Sequence, residues 1–128
     1  MDSGGIGFNG PTSMTFLDPK LYVVNFNGNS VSVCDWVSAT NTLSGCVNTV
    51  VGGPASGVAA YSLPGGTATY LFVSVGSSIR RCTIENGALS GCTATGVTVS
   101  APRDMMVINN NTIYVTNISL IRTCSAAP

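Results

Sequence analysis

Apolar residues along this chain come in short bursts separated by Gly, Asn, Ser and Thr, and no stretch repeats them at helical spacing. Leu21-Tyr22-Val23-Val24 is one such burst, rich in the β-branched and aromatic residues that suit a buried strand. Phe26-Asn27-Gly28-Asn29 follows as turn chemistry, because Gly and Asn reach positive φ at little cost. Val31-Ser32-Val33-Cys34 then alternates with a period of two, so Val31 and Val33 share one face and Ser32 and Cys34 the other. A polar connector from Ser38 to Thr42 leads to Leu43-Ser44-Gly45-Cys46, and Pro11 to Phe16 supplies a strand ahead of the whole. The pattern predicts a meander of four short antiparallel strands.

The pattern then returns. Leu71 to Cys92 reads LFVSVGSSIRRCTIENGALSGC, and Ile113 to Cys124 reads IYVTNISLIRTC. Tyr22 and Phe72 lie 50 residues apart, and Phe72 and Tyr114 lie 42 apart. A four-stranded unit recurring every ~40–50 residues predicts the blades of a β-propeller. The blades cover residues 11–46, 54–92 and 102–124. Pro64-Gly65-Gly66-Thr67 is an insertion in the first hairpin of the second blade, and Asn109-Asn110-Asn111 is the corresponding turn of the third. Val47 to Gly53 and Thr93 to Ala101 are expected to be connectors, and Gly4 to Phe8 takes the same place ahead of the first blade. The third blade is expected to lack its outer strand, since only Ser125 to Pro128 follow Cys124. The expected fold is all-β, three blades of antiparallel meander with the last incomplete. A propeller needs roughly four to eight blades, and an open stack exposes sheet faces and edges. The expected partner is therefore the remainder of a longer propeller chain or a second copy.

Leu21-Tyr22-Val23-Val24-Asn25 and Ile113-Tyr114-Val115-Thr116-Asn117 resemble the YVTN-type β-propeller repeat of secreted and surface-layer proteins. The opening motif of that family, roughly P-x-G-[IVM]-A, has counterparts in Pro11 to Thr15, in Ser56-Gly57-Val58-Ala59 and in Pro102 to Met106. The resemblance spans nearly the whole chain. It implies a fold and leaves activity open, because such blades serve binding, scaffolding and enzymatic proteins alike.

Composition narrows the function. Only 8% of residues are charged and the formal net charge is zero. With five Lys and Arg in all, the chain has no cationic face for nucleic acid. No apolar run approaches the ~18 residues of a membrane span. Met1 to Gly5 lacks the basic start and apolar core of a signal peptide. Five cysteines in so uncharged a chain nevertheless suit an oxidising compartment, extracellular or at the cell surface. A cytosolic protein with reduced, buried cysteines is the alternative.

The cysteines carry the clearest chemical signal. If Leu43 and the valines Val31 and Val33 face one packing layer, alternation turns Cys34 and Cys46 together to the other side, where they can bridge. Cys82 and Cys92 repeat the arrangement. Buried free thiols remain the competing account. Zinc is disfavoured, because the chain has no histidine and the cysteine spacings are not those of a finger. Cys124 aligns with Cys34 and Cys82 but has no downstream counterpart, so it is expected to be unpaired or to bond another chain.

No catalytic or metal-binding set emerges, and no cofactor is expected. Without histidine, neither a Ser-His-Asp nor a Cys-His site is available. Asp18 belongs to the turn Leu17-Asp18-Pro19-Lys20; Asp35 and Glu85 sit near loops; Asp104 is a local partner of Arg103 or a solvated turn residue. Tyr22, Phe72 and Tyr114 are the aromatic core positions of the repeat, and Met105-Met106 reads as core or channel lining. Trp36 either caps the first cysteine pair or is an exposed contact. Asn110 and Asn117 begin N-glycosylation sequons. The reading favoured is a non-enzymatic, extracellular structural or interaction module. A lectin-like propeller that binds glycan, with Trp36 as a stacking platform, and a fragment of a lactonase-like or lyase-like propeller enzyme are the alternatives.

Overall fold

The computed structural model describes residues 7–62, 69–109, 112–117 and 120–125. They form three antiparallel sheets, each a meander in chain order. The first sheet holds β1 (Pro11–Leu17), β2 (Lys20–Asn25), β3 (Ser30–Val37) and β4 (Thr42–Val50). The second holds β5 (Ala55–Ser62), β6 (Thr69–Val75), β7 (Ser78–Glu85) and β8 (Ala88–Thr98). The third holds β9 (Asp104–Asn109), β10 (Thr112–Thr116) and β11 (Ile121–Ser125).

The registers repeat from sheet to sheet. Leu21 pairs with Cys34, Leu71 with Cys82 and Ile113 with Cys124. Short turns set these registers. Asp18-Pro19, joined by a cis peptide, turns β1 into β2. Asn29 and Asn86 adopt positive φ in the later turns, the conformation that Asn tolerates better than other non-glycine residues.

The sheets stack face to face, and alternation along the strands decides what each face buries. Tyr22, Val24, Val31 and Val33 of the first sheet pack against Val58, Leu71, Val73 and Cys82 of the second. The opposite face of the second sheet, with Ala59, Phe72 and Ile79, packs against Met105, Ile113 and Val115 of the third. The central strands β2 and β6 are buried along most of their length, which explains their unbroken apolar runs. At roughly 25 cal/mol per Å² of apolar surface, these two layers supply the dominant stabilisation.

Several expectations need correction. Val47 to Gly53 and Thr93 to Ala101 are not simply connectors, since β4 runs to Val50 and β8 to Thr98. Leu43 does not share the face of Val31 and Val33. It pairs with Trp36 and lies beside Leu21 and Phe16 on the other side of the sheet. The cysteines meet for a different reason. Gly45, at φ 58°, opens a bulge in which Gly45 and Cys46 together oppose Cys34. The extra residue reverses the alternation and turns Cys46 to the side of Cys34. Gly91, at φ 55°, does the same for Cys92 opposite Cys82. Both disulfides form, Cys34–Cys46 with Cα atoms 4.0 Å apart and Cys82–Cys92 with Cα atoms 3.9 Å apart. They indicate an oxidising, extracellular type of environment.

Candidate functional site

The first strands of the three sheets, β1, β5 and β9, come together along one line. Ser13, Gly57 and Asp104 hold equivalent places there, each just before the residue that pairs with Val23, Val73 or Val115. Gly57 lets β5 and β9 touch, since a Cβ on it would stand 3.1 Å from the Arg103 carbonyl. Ser13 Oγ donates to Asp104 Oδ1 at 3.2 Å, which ties the first sheet to the third. The same carboxylate oxygen accepts the Met105 N–H at 2.9 Å. Thr12 Oγ1 donates to the Ser56 carbonyl at 3.1 Å, and Ser56 Oγ donates to the Pro102 carbonyl at 2.7 Å. Hydroxyls thus stitch neighbouring sheets together where backbone pairing is absent.

A cavity of about 580 Å³ opens at this end of the strands. Its walls include Thr12, Ser56, Arg103, Pro54 and Gly76, with Phe26 from the β2–β3 turn, 45% exposed, at its side. The exposed Arg103, two hydroxyls and an aromatic ring thus stand around one opening. Chemistry is another matter. Asp104 already accepts two hydrogen bonds, and the hydroxyls of Thr12 and Ser56 are spent on carbonyls. No nucleophile stands beside a base among these residues.

A second exposed region is the outward face of the first sheet. Phe16, Leu21, Trp36 and Leu43 line an open apolar pocket of about 290 Å³. Trp36 stands edge-on to Phe16, ring centroids 5.7 Å apart, and its Nε1–H donates to Asn41 Oδ1 at 3.3 Å. Its partner is therefore Phe16, across the open face.

The remaining candidates have structural roles. Tyr22 and Phe72 are buried as expected, but Tyr114 is exposed, because among the described residues no sheet covers the outer side of the third. Met105 is buried and Met106 is not, since alternation along β9 turns them to opposite faces. Asp35 pairs with Lys20 on the first sheet, and Asp104 pairs with Ser13 rather than with Arg103. Arg81 lies over the Tyr70 ring, 4.7 Å from its centroid. Asn117 Oδ1 accepts the Leu120 N–H at 2.8 Å, a turn role. Asn110, Pro64 to Thr67, Gly4 to Ile6 and the side chain of Cys124 lie outside the described residues, as do Ile118 and Ser119 of the second sequon. Among the described residues, no three Cys, Asp or Glu gather as a metal site, and no helix is long and apolar enough to cross a membrane.

Sequence reasoning singled out neither Phe26 nor the Thr12, Ser56 and Arg103 group. The available signal was positional: Thr12 and Ser56 hold the same place in the opening motif of successive sheets.

No protein-family model matches the chain, and no curated protein matches it. Among solved structures the chain is similar to Kuenenia stuttgartiensis hydrazine synthase, with a TM-score of 0.63 at 20% identity. The likeness covers 92% of this chain and 33% of that one, so the chain spans about a third of its neighbour's length. At this identity the likeness is one of fold.

Proposed function

We infer that the chain is a run of β-propeller blades serving as an extracellular structural or interaction module. The observation that carries this reading is the repeat itself: meanders of matching register, stacked face to face, two of them closed by a disulfide at the same bulge. Such disulfides stabilise small sheets where reductants are scarce. The converging first strands carry hydroxyl–carbonyl ties rather than a nucleophile and base, which favours holding over turnover. Labelling intact source cells with a membrane-impermeant reagent tests the location. Surface labelling is the expected result. A cytosolic pool with Cys34, Cys46, Cys82 and Cys92 all reduced overturns it.

The cavity beside Phe26 favours a second reading, a lectin-like propeller that binds glycan at the end of the strands. An aromatic face flanked by hydroxyls and one guanidinium suits a sugar, acidic sugars above all. A glycan array separates the two readings. Glycan binding that disappears in Phe26→Ala and Arg103→Ala establishes the second; an empty array leaves the module without a sugar ligand.

A further inference from the structure

The two outermost faces of the stack are built from the same register positions as the faces buried inside it. On the first sheet, the outward positions Met14, Phe16, Leu21, Trp36 and Leu43 correspond to Val58, Ala60, Leu71, Ile84 and Leu89 of the second. The second sheet uses those residues to pack on the first. Met14 is 66% exposed where Val58 is 3% exposed. On the third sheet, Met106, Tyr114 and Ile121 correspond to Ala59, Phe72 and Ile79, all buried against the third sheet, and to Thr15, Tyr22 and Val31 of the first. Ile121 is 66% exposed where Ile79 and Val31 are at 1% and 0%, and Met106 is 61% exposed where Ala59 is at 6%. One chain therefore carries both halves of an interface that it already makes twice internally.

The internal example also shows how the halves fit. Tyr22 crosses from the first sheet and donates its hydroxyl to the Gly87 carbonyl at 3.0 Å, in the β7–β8 turn of the second. Tyr114 stands at the Tyr22 position. Asn41, the last residue of the β3–β4 turn, stands at the Gly87 position, and both have positive φ. Beside Asn41 lies the open apolar pocket of Phe16, Leu21, Trp36 and Leu43, in the place where a Tyr114 ring from the next sheet would lie.

We propose that the outward face of the first sheet is covered by the outward face of the third sheet of a second copy, with Tyr114 in the pocket between Phe16, Leu21, Trp36 and Leu43. The contact is head to tail, so each copy uses both faces. Two copies of a three-sheet chain close a ring of six, within the roughly four to eight of known propellers. The ring rests on the propeller reading above, whereas the face-to-face contact rests on the register equivalence. The residues named on both faces are uncharged, so the docking is apolar and insensitive to salt.

The test is the mass in solution, measured by sedimentation and accompanied by far-UV circular dichroism of the same sample. Wild type is expected at twice 13.0 kDa. Two variants break the two faces separately: Phe16→Asp with Met14→Asp, and Tyr114→Asp with Ile121→Asp. Each is expected at 13.0 kDa with an unchanged strand spectrum. Mixing them leaves one intact interface, and a species of twice the monomer mass should return. Trp36 is the single tryptophan, so its emission should shift to the blue in that mixture and stay red in either variant alone. A folded wild-type monomer overturns the proposal and leaves the face to a sheet of another polypeptide or to a longer form of this one. A third-sheet variant that still pairs alone points to like-with-like contact between first sheets and overturns it as well. Masses above the dimer overturn the closed pair. Loss of the strand spectrum in wild type would instead sink the sheet reading itself.

Discussion

A Cβ placed on Gly57 would stand 2.9 Å from the Cα of Asp104, so the second and third sheets meet backbone to backbone at that glycine. Real Cβ atoms do not approach that closely, and the obstacle is main chain, which cannot rotate aside. Gly57→Ala should therefore part β5 from β9 and cost ~1–3 kcal/mol, the usual range for overpacking. Urea unfolding read by far-UV circular dichroism measures it. A loss below about 0.5 kcal/mol would mean that the two strands separate freely.

Tyr22 ties the first sheet to the second through its hydrogen bond to Gly87. Burial raises its hydroxyl pKa above the ordinary value of 10.0, because the phenolate would lose its hydration. A pKa raised on folding means stability that is complete below pH 10 and lost as pH climbs past the folded value. Alkaline unfolding should therefore steepen above about pH 10. Tyr22→Phe should flatten that dependence while costing ~1 kcal/mol at neutral pH for the lost hydrogen bond. An unchanged alkaline slope in Tyr22→Phe would assign the effect to another group.

Cys82 is fully buried between the first two sheets, with Cys92 packed against the same cluster. Replacing both by Ala opens a short loop in the unfolded chain and leaves space in that layer. The expected loss is ~3 kcal/mol from chain entropy alone, with some addition from packing. Guanidinium unfolding of the double variant under non-reducing conditions checks the figure. Peptide mapping of wild type should recover Cys34–Cys46 and Cys82–Cys92, and no Cys46–Cys82 link.

Lys20 and Asp35 form an ion pair across the inner strands β2 and β3, both partly exposed. Exposed pairs are worth little, so Asp35→Asn should cost under ~1 kcal/mol. Lys20→Ala should cost more than Asp35→Asn, because the lysine stem lies against Gly87, where an added Cβ would meet Lys20 Cε. Equal losses from the two variants would reduce the lysine to its charge.

The strands were legible because the apolar bursts and Asn-Gly turns are strong local signals, and β1 to β3 fall where Pro11-Phe16, Leu21-Val24 and Val31-Cys34 put them. The cysteine pairs were legible from their recurrence, yet the alternation offered for them failed. Leu43 faces away from Val31, and a left-handed glycine makes up the difference. Backbone φ is not written in period-two patterning, although Gly before Cys in both copies was its trace. Register marks Tyr114 as a core position of the repeat, but it is exposed, because register is silent about whether a covering sheet exists. The cavity beside Phe26 was hidden because its residues come from five separated stretches of chain, none unusual by itself.

The bulge at Gly45 and Gly91 has a use outside this molecule. Leu-Ser-Gly-Cys stands at the same register shift opposite a cysteine in both sheets, on the open outer face of the first and inside the packed layer in the second. Because one arrangement serves both surroundings, the unit is expected to keep its alignment when grafted onto the outer hairpin of an unrelated meander, opposite a cysteine. A designer stapling β-sheets would need only to choose the hairpin.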